Sequence, residues 1–319
     1  MPETIAIQDQ AVRVRFSGHE SFPLRFSWLA KGVRFCKAKP MGFSDPEAMV
    51  SLGVGKNMVR SIRFWCSEAQ MIGPLRSEVR TRTPSMTPTP LGDFLFGEDG
   101  ADPYVEDPGT LWLIHWGLAS RIAGPTTWYV LFNELRPSEF TTRSLIRELR
   151  QYEARFASEA VAEETLERDV DCCVRCYVGS SADKKIQGED VLDCPLADLD
   201  LIHRGSEPGD FSFPRGPRRT LPLAVFAACL ADYCRRVDVG AKTRSFEQVA
   251  YAAGSPGQVF RLSENALADL LDELGDFTSG AMRFGGTAGL RQVLLADSLP
   301  TPLALLKKHF KRRSPHAAS

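Results

Sequence analysis

A histidine and a glutamate stand side by side in Phe16-Ser17-Gly18-His19-Glu20-Ser21-Phe22-Pro23-Leu24-Arg25, and this segment offers the most direct chemistry in the 319-residue chain. An imidazole titrates near neutral pH, so beside a carboxylate it could act as a general base on water or join it as a metal ligand pair. Ser21 stands where a helix N-cap belongs and Pro23 near a first helical position. The N–H groups and positive end of such a helix would seat a phosphate, with Arg25 and Arg15 to complete the site. Gly18 would let the backbone enter an open or left-handed turn. A plainer reading fits equally well: Glu20 caps the helix and His19 closes a buried hydrogen-bond network. On the first reading the catalytic candidates are His19, Glu20 and Arg25.

Two other constellations carry less. Glu163, Glu167 and Asp171 recur every fourth residue, with Asp169 nearby, and such carboxylates could hold Mg²⁺ or Mn²⁺ through water, or simply form a solvated face. Cys172, Cys173 and Cys176, with Cys194 and His203, fall short of a zinc module's spacing, and helical placement buries Cys173 and Cys176 instead. No P-loop, no dinucleotide-binding glycine fingerprint and no Asp…Glu-x-Lys nuclease core is present, and the five histidines form no H-N-H pattern.

The elements that would position these residues follow from periodicity. Val12, Val14 and Phe16 alternate with arginines and predict a short strand. Phe22, Phe26, Leu29, Val33 and Cys36 form one helix stripe. Ser44 and Glu47 predict a capping box for a second helix. Gly53-Val54-Gly55 turns into a third, with Val59, Ile62, Trp65 and Cys66 inward. This is helix-turn-helix spacing, and it leaves Lys56, Asn57, Arg60, Ser61 and Arg63 outward, types that pair with phosphates and base edges. Residues 78–83 alternate like a strand and read as a basic wing carrying Arg80 and Arg82. The expected DNA contacts are therefore Arg15, Lys56, Asn57, Arg60, Arg63, Arg80 and Arg82.

The net charge of −1 hides three blocks. Residues 1–90 carry 13 basic and 7 acidic side chains, residues 91–210 carry 11 and 24, and residues 211–319 carry 15 and 9. Each block predicts a similar run of helices followed by a hairpin. The expected architecture is mainly α with small β-hairpins, an α+β fold of tandem winged helix-turn-helix modules. Its expected parts are an N-terminal DNA-binding domain (1–100), an acidic helical middle (101–210) and a C-terminal winged-helix-like domain with a basic tail (211–319). No window approaches the ~18 apolar residues of a membrane span. The start lacks a secretory signal's layout, and eight irregularly spaced cysteines suit reduced thiols, so a soluble cytoplasmic protein is expected.

FSGHESFPLRFSWLAKG, then LGVGKNMVRSIRFW and TPTPLG, resemble a bacterial family formerly labelled only a domain of unknown function, and TLERDVD, DCPLADLDLI and FSFPRGP extend the likeness over most of the chain. Members of that family are encoded beside DNA phosphorothioation and defence genes. The resemblance implies DNA binding, metal-dependent nicking with Mg²⁺ or Mn²⁺, and partners among the other proteins of such a system. It places the recurrent motif on Gly18, His19, Glu20 and Arg25, and on Gly53, Gly55, Lys56, Asn57, Arg60 and Arg63. It assigns no catalytic residue, and the thiol cluster lies outside its pattern. A non-enzymatic DNA-binding regulator or adaptor, with a homodimer among its forms, is the other reading.

Overall fold

In the computed structural model, residues 14–75, 84–157, 159–178, 194–287 and 290–310 are described. Three short antiparallel sheets punctuate an otherwise helical chain, as expected of a mainly α fold with small β-hairpins.

In the first third, α1 (Trp28–Ala38), α2 (Ala48–Leu52) and α3 (Lys56–Glu68) precede the strand pair β1 (Ile72–Pro74) and β2 (Met86–Pro88). Gly53 ends α2 at φ 65°, the left-handed conformation that glycine reaches without penalty, and so makes the turn into α3. Thr89 accepts from Gly92 N–H at 3.0 Å and starts α4 (Pro90–Phe96).

The middle third opens with α5 (Pro108–Ala119), in which every residue from Gly109 to Ala119 is buried. After α6 (Thr126–Tyr129) and a π-turn (Val130–Glu134) come β3 (Glu139–Thr141), α7 (Thr142–Phe156), α8 (Glu163–Tyr177), β4 (His203–Arg204) and β5 (Asp210–Ser212). The last third runs α9 (Leu223–Arg236), β6 (Thr243–Ser245), α10 (Phe246–Tyr251), α11 (Pro256–Val259), α12 (Glu264–Phe277), β7 (Met282–Thr287), β8 (Leu290–Leu295) and α13 (Pro302–Phe310). Its sheet has the order β6-β8-β7 and the middle one β3-β5-β4, so in each the first strand pairs with the last. The first third shows the same relation in reduced form, because Met86 at the start of β2 donates from its N–H to Pro40 O at 2.8 Å.

A single hydrophobic cluster runs from Leu24 to Phe310 and draws on all three charge blocks. The connection at 97–108 is locked rather than loose: buried Asp102 accepts from Glu106 N–H, Asp107 N–H and Thr110 Oγ1. Asp107 caps α5 at Gly109 N–H and also meets His309 Nε2 of α13 at 3.0 Å. Among the described residues no helix is long and apolar enough to cross a membrane.

Local expectations fail where side chains compete with backbone periodicity. Residues 14–17 form no strand; Arg15 instead exchanges bonds with Thr126, its N–H donating to Oγ1 at 2.7 Å and its C=O accepting from Thr126 N–H at 3.2 Å. The first helix starts at Trp28, not near Pro23, because Ser21 has φ 66° and Trp65 Nε1 binds Phe22 O in the extended stretch that follows. Ser44 ends a 3₁₀ turn, and Asp45 takes the Glu47 N–H, so no Ser44–Glu47 capping box forms. The segment 78–83, with Arg80 and Arg82, lies outside the described residues.

Candidate nucleic-acid interface and the turn beside it

Helix α3 is amphipathic because Val59, Ile62, Trp65 and Cys66 share its buried face. Lys56, Asn57 and Arg60 are exposed on the other side and Arg63 is half-buried, as the spacing predicts. Ser61, expected outside, is fully buried. Position 61 directly precedes Ile62, and the helix is covered on two sides.

Residues 17–21 lie against α3 as a tight turn. Ser17, Glu20 and Ser21 all have positive φ (62°, 50° and 66°), a conformation that costs each of these non-glycine residues stability and must be imposed by surrounding contacts. Gly18 is not one of the left-handed residues. It is needed for space, since a Cβ there would lie 2.4 Å from Phe64 Cδ2 of α3.

His19 supplies much of the imposition. Its side chain is 1 % exposed, as is that of Asp169 on α8. Ser21 N–H donates to Nδ1 at 3.0 Å, so the ring proton sits on Nε2 and is given to Asp169 Oδ1 at 2.8 Å. Asp169 Oδ1 also accepts from Ser17 N–H, and Oδ2 accepts from Thr127 Oγ1, both at 2.6 Å. Phe64, Trp65 and Trp128 ring the imidazole at centroid distances of 5.7, 6.3 and 6.0 Å. Both ring nitrogens are thus engaged inside the protein.

Glu20 emerges from the turn beside α3. Its carboxylate lies 3.3 Å from Arg60 Nη1, with the glutamate about a third and the arginine about half exposed. Arg175 of α8 ties the turn from the other side, donating to Ser21 O at 2.9 Å while pairing with Asp171 at 2.9 Å. Arg25 is half-buried, its guanidinium 5.4 Å from the Trp28 ring centre. Arg15 is held by Glu68 at the end of α3 in a two-pronged ion pair. Burial raises the Glu68 carboxyl above its ordinary range, against the pull of Arg15.

The expected site residues thus divide. His19, Glu20 and Arg60 come together, with Lys56, Asn57 and Arg63 on the same helix. Arg15 lies near the other end of α3, and Glu163, Glu167 and Asp171 line the solvent side of α8. Asp169, grouped with those acids in the sequence, points inward. Its spacing carried the signal: it falls three residues after Leu166 and four before Cys173, on the apolar stripe of α8. Thr127 and Arg175 had no such mark.

Among the described residues, no three His, Cys, Asp or Glu side chains converge as a metal cage. The thiols of Cys172, Cys176 and Cys194 are buried and free, and burial pushes Cys172 and Cys194 well up. Asp169 has its oxygens committed to three donors. Glu20 is the one carboxylate the turn brings to the surface, a donor set that suits only a hydrated ion shared with a ligand, as Mg²⁺ favours.

Three helices occupy equivalent places, each preceding the two closing strands of its third: α3, α8 and α12. On α8 the exposed side includes Glu163, Glu164, Glu167 and Asp171, and on α12 it includes Glu264, Asp269, Asp272, Glu273 and Asp276. Only α3 turns a cationic side to solvent.

A chain with this fold and this turn belongs to the family described as a protein of unknown function, DUF4007, whose profile matches residues 16–310. Two solved structures resemble it closely. One, described as a magnesium ion-bound SspB crystal structure, shares 30 % identity at a TM-score of 0.84, over 96 % of this chain and 91 % of that one. The other, described as an SspB crystal structure, shares 30 % identity at 0.83, over 96 % and 92 %. The protein is SspB-like. None of the curated proteins matches it.

Proposed function

We propose that the protein binds duplex DNA through α3 and nicks it as part of a bacterial DNA phosphorothioation system. One observation carries this reading: among three helices in equivalent positions, α3 alone presents Lys56, Asn57, Arg60 and Arg63, while α8 and α12 present carboxylates that would repel phosphates. The repeated order of helices and closing strands supports a reading of the thirds as winged-helix modules, in which this helix would enter the major groove. Likeness to SspB supports the link to phosphorothioation, whose other proteins are the expected partners.

In this reading Glu20 is the group nearest the chemistry. His19 and Arg25 act as positioning residues, His19 by holding the turn from within. Binding of a phosphate by Arg60 would release Glu20 from its pair and leave the carboxylate beside the backbone. A divalent cation, Mg²⁺ or Mn²⁺, would be shared between Glu20, water and the phosphate, and would supply charge neutralisation of the developing anion. The similar SspB structure carries a magnesium ion in its description.

The test is incubation with supercoiled plasmid and Mg²⁺ or Mn²⁺. Open-circular product that Glu20→Gln abolishes supports the nickase. A gel shift without any nicked product would favour the second reading, a DNA-binding regulator or adaptor of the same system. That reading draws on the sealed state of His19, whose two nitrogens leave nothing free to activate water.

A further inference from the structure

A pocket of about 290 Å³ lies where the first and last thirds meet over α5. Ala69, Leu91, Leu113, Trp116, Leu303 and Leu306 give it mostly apolar walls. Its two charged lining groups, Arg121 and Asp232, offset each other, so the pocket favours an uncharged occupant. Leu91 and Leu303 are only half-buried. A concave, mostly apolar site of this kind gains from taking an apolar group out of water.

The chain itself passes beside this pocket. Arg15, next to the first described residue, is bound to Glu68 and donates to Ala123 O at 3.2 Å. Glu68 directly precedes Ala69 and Gln70, and Ala123 follows two residues after Arg121, so both partners of Arg15 adjoin the pocket wall. Residues 1–13, outside the described residues, therefore join the molecule there. Their longest uncharged run is Thr4-Ile5-Ala6-Ile7-Gln8, set between Glu3 and Asp9. In an extended backbone Ile5 and Ile7 would share one side. The chain from Ile7 to Val14 can span up to about 24 Å, ample to return from Arg15 to a wall that begins one residue beyond Glu68.

We propose that Ile5-Ala6-Ile7 docks in this pocket as an intramolecular strap, with its two isoleucines against Leu91, Leu113 and Leu303. The strap ties the first third to α9 and α13 of the last. Its apolar, uncharged run matches the apolar bed and the balanced charges, and its point of attachment lies beside the pocket. The docking does not rest on DNA being the protein's ligand.

The test is disulfide trapping in the full-length protein, whose native thiols are all buried. Ile7→Cys combined with Leu303→Cys is oxidised with diamide. A disulfide within one monomer is expected, formed about tenfold faster than when Ile5→Asp is added, a change that leaves the tether length as it was. Equal rates mean chance collision and overturn the docking, and a disulfide-linked dimer overturns it in favour of a second copy's segment. The neutral dye N-phenyl-1-naphthylamine probes the pocket from the other side. Ile5→Asp with Ile7→Asp should raise its affinity about tenfold over wild type, because the strap no longer competes, and adding Leu303→Trp should cancel the gain. Wild-type protein that binds the dye as tightly as the double variant has a pocket open to a free small molecule, which overturns the strap. A gain that survives Leu303→Trp arises elsewhere and overturns it as well.

Discussion

His19 Nε2 lies 2.8 Å from Asp169 Oδ1, a bond between residues 150 apart in the chain and closed to solvent on both sides. It joins the basic first third to the acidic middle third and fixes a turn that has three left-handed residues. The charge blocks of the sequence are therefore not independent bodies. The acidic helix α8 presents its carboxylates outward and spends one, Asp169, on holding the turn beside the cationic α3.

Removing that carboxylate should cost stability, because three donors lose their acceptor at once. Asp169→Ala is expected to destabilise by about 3 kcal/mol, with His19→Ala somewhat milder, the cost of leaving buried polar groups unsatisfied. Glu20→Gln removes only a partly exposed pair and should stay within about 0.5 kcal/mol of wild type. Urea unfolding measures all three. If Glu20→Gln retains wild-type stability and DNA affinity but loses nicking, the carboxylate acts in the chemistry; if nicking survives, Glu20 has no such role.

The α2–turn–α3 segment was legible because its signals are local: a left-handed glycine at 53 and an apolar stripe through Val59, Ile62 and Trp65. The turn at 17–21 was legible as unusual but not as a shape. Its conformation is set by Asp169, Thr127 and Phe64, none of them near in sequence. The same long-range bonds overrode the expected start of α1, since Trp65 holds Phe22 extended. The acidic exposed side of α12 was hidden by the +6 balance of the last block, where the arginines sit elsewhere. Arg215, Arg218 and Arg261, for example, donate inward to backbone carbonyls.

Salt dependence of DNA binding offers a direct measure of α3. Each phosphate contact contributes about 0.9 to the slope of log K against log salt. Lys56→Ala and Arg60→Ala should each flatten the slope by roughly that amount. Glu164→Ala and Asp272→Ala, on the equivalent sides of α8 and α12, should leave it unchanged or bind slightly tighter. Equal effects from all four would place DNA on another surface.

Gly18 should tolerate no side chain while Phe64 is in place. Gly18→Ala puts a methyl 2.4 Å from the Phe64 ring and is expected to cost about 1–3 kcal/mol, as overpacking does. Adding Phe64→Leu should restore part of the loss. A double variant no more stable than Gly18→Ala alone would mean that the clash is not the cause.

Acid sensitivity should trace in part to His115, which joins α5 to α8 and to α11 of the last third. It is fully buried, accepts from the Tyr177 hydroxyl at 2.7 Å and donates to Val259 O at 2.9 Å. Burial pulls its pKa down to about 4, below the 6.5 it would have unfolded. Between those values the unfolded chain binds a proton that the folded one refuses, so stability rises with pH across that window and falls on acidification. The full effect is on the order of 3 kcal/mol. His115→Asn should be less stable at pH 7 yet lose that part of the slope between pH 6.5 and 4. Urea midpoints for the two proteins across that range check it, and parallel slopes would show that the acid response originates in other groups.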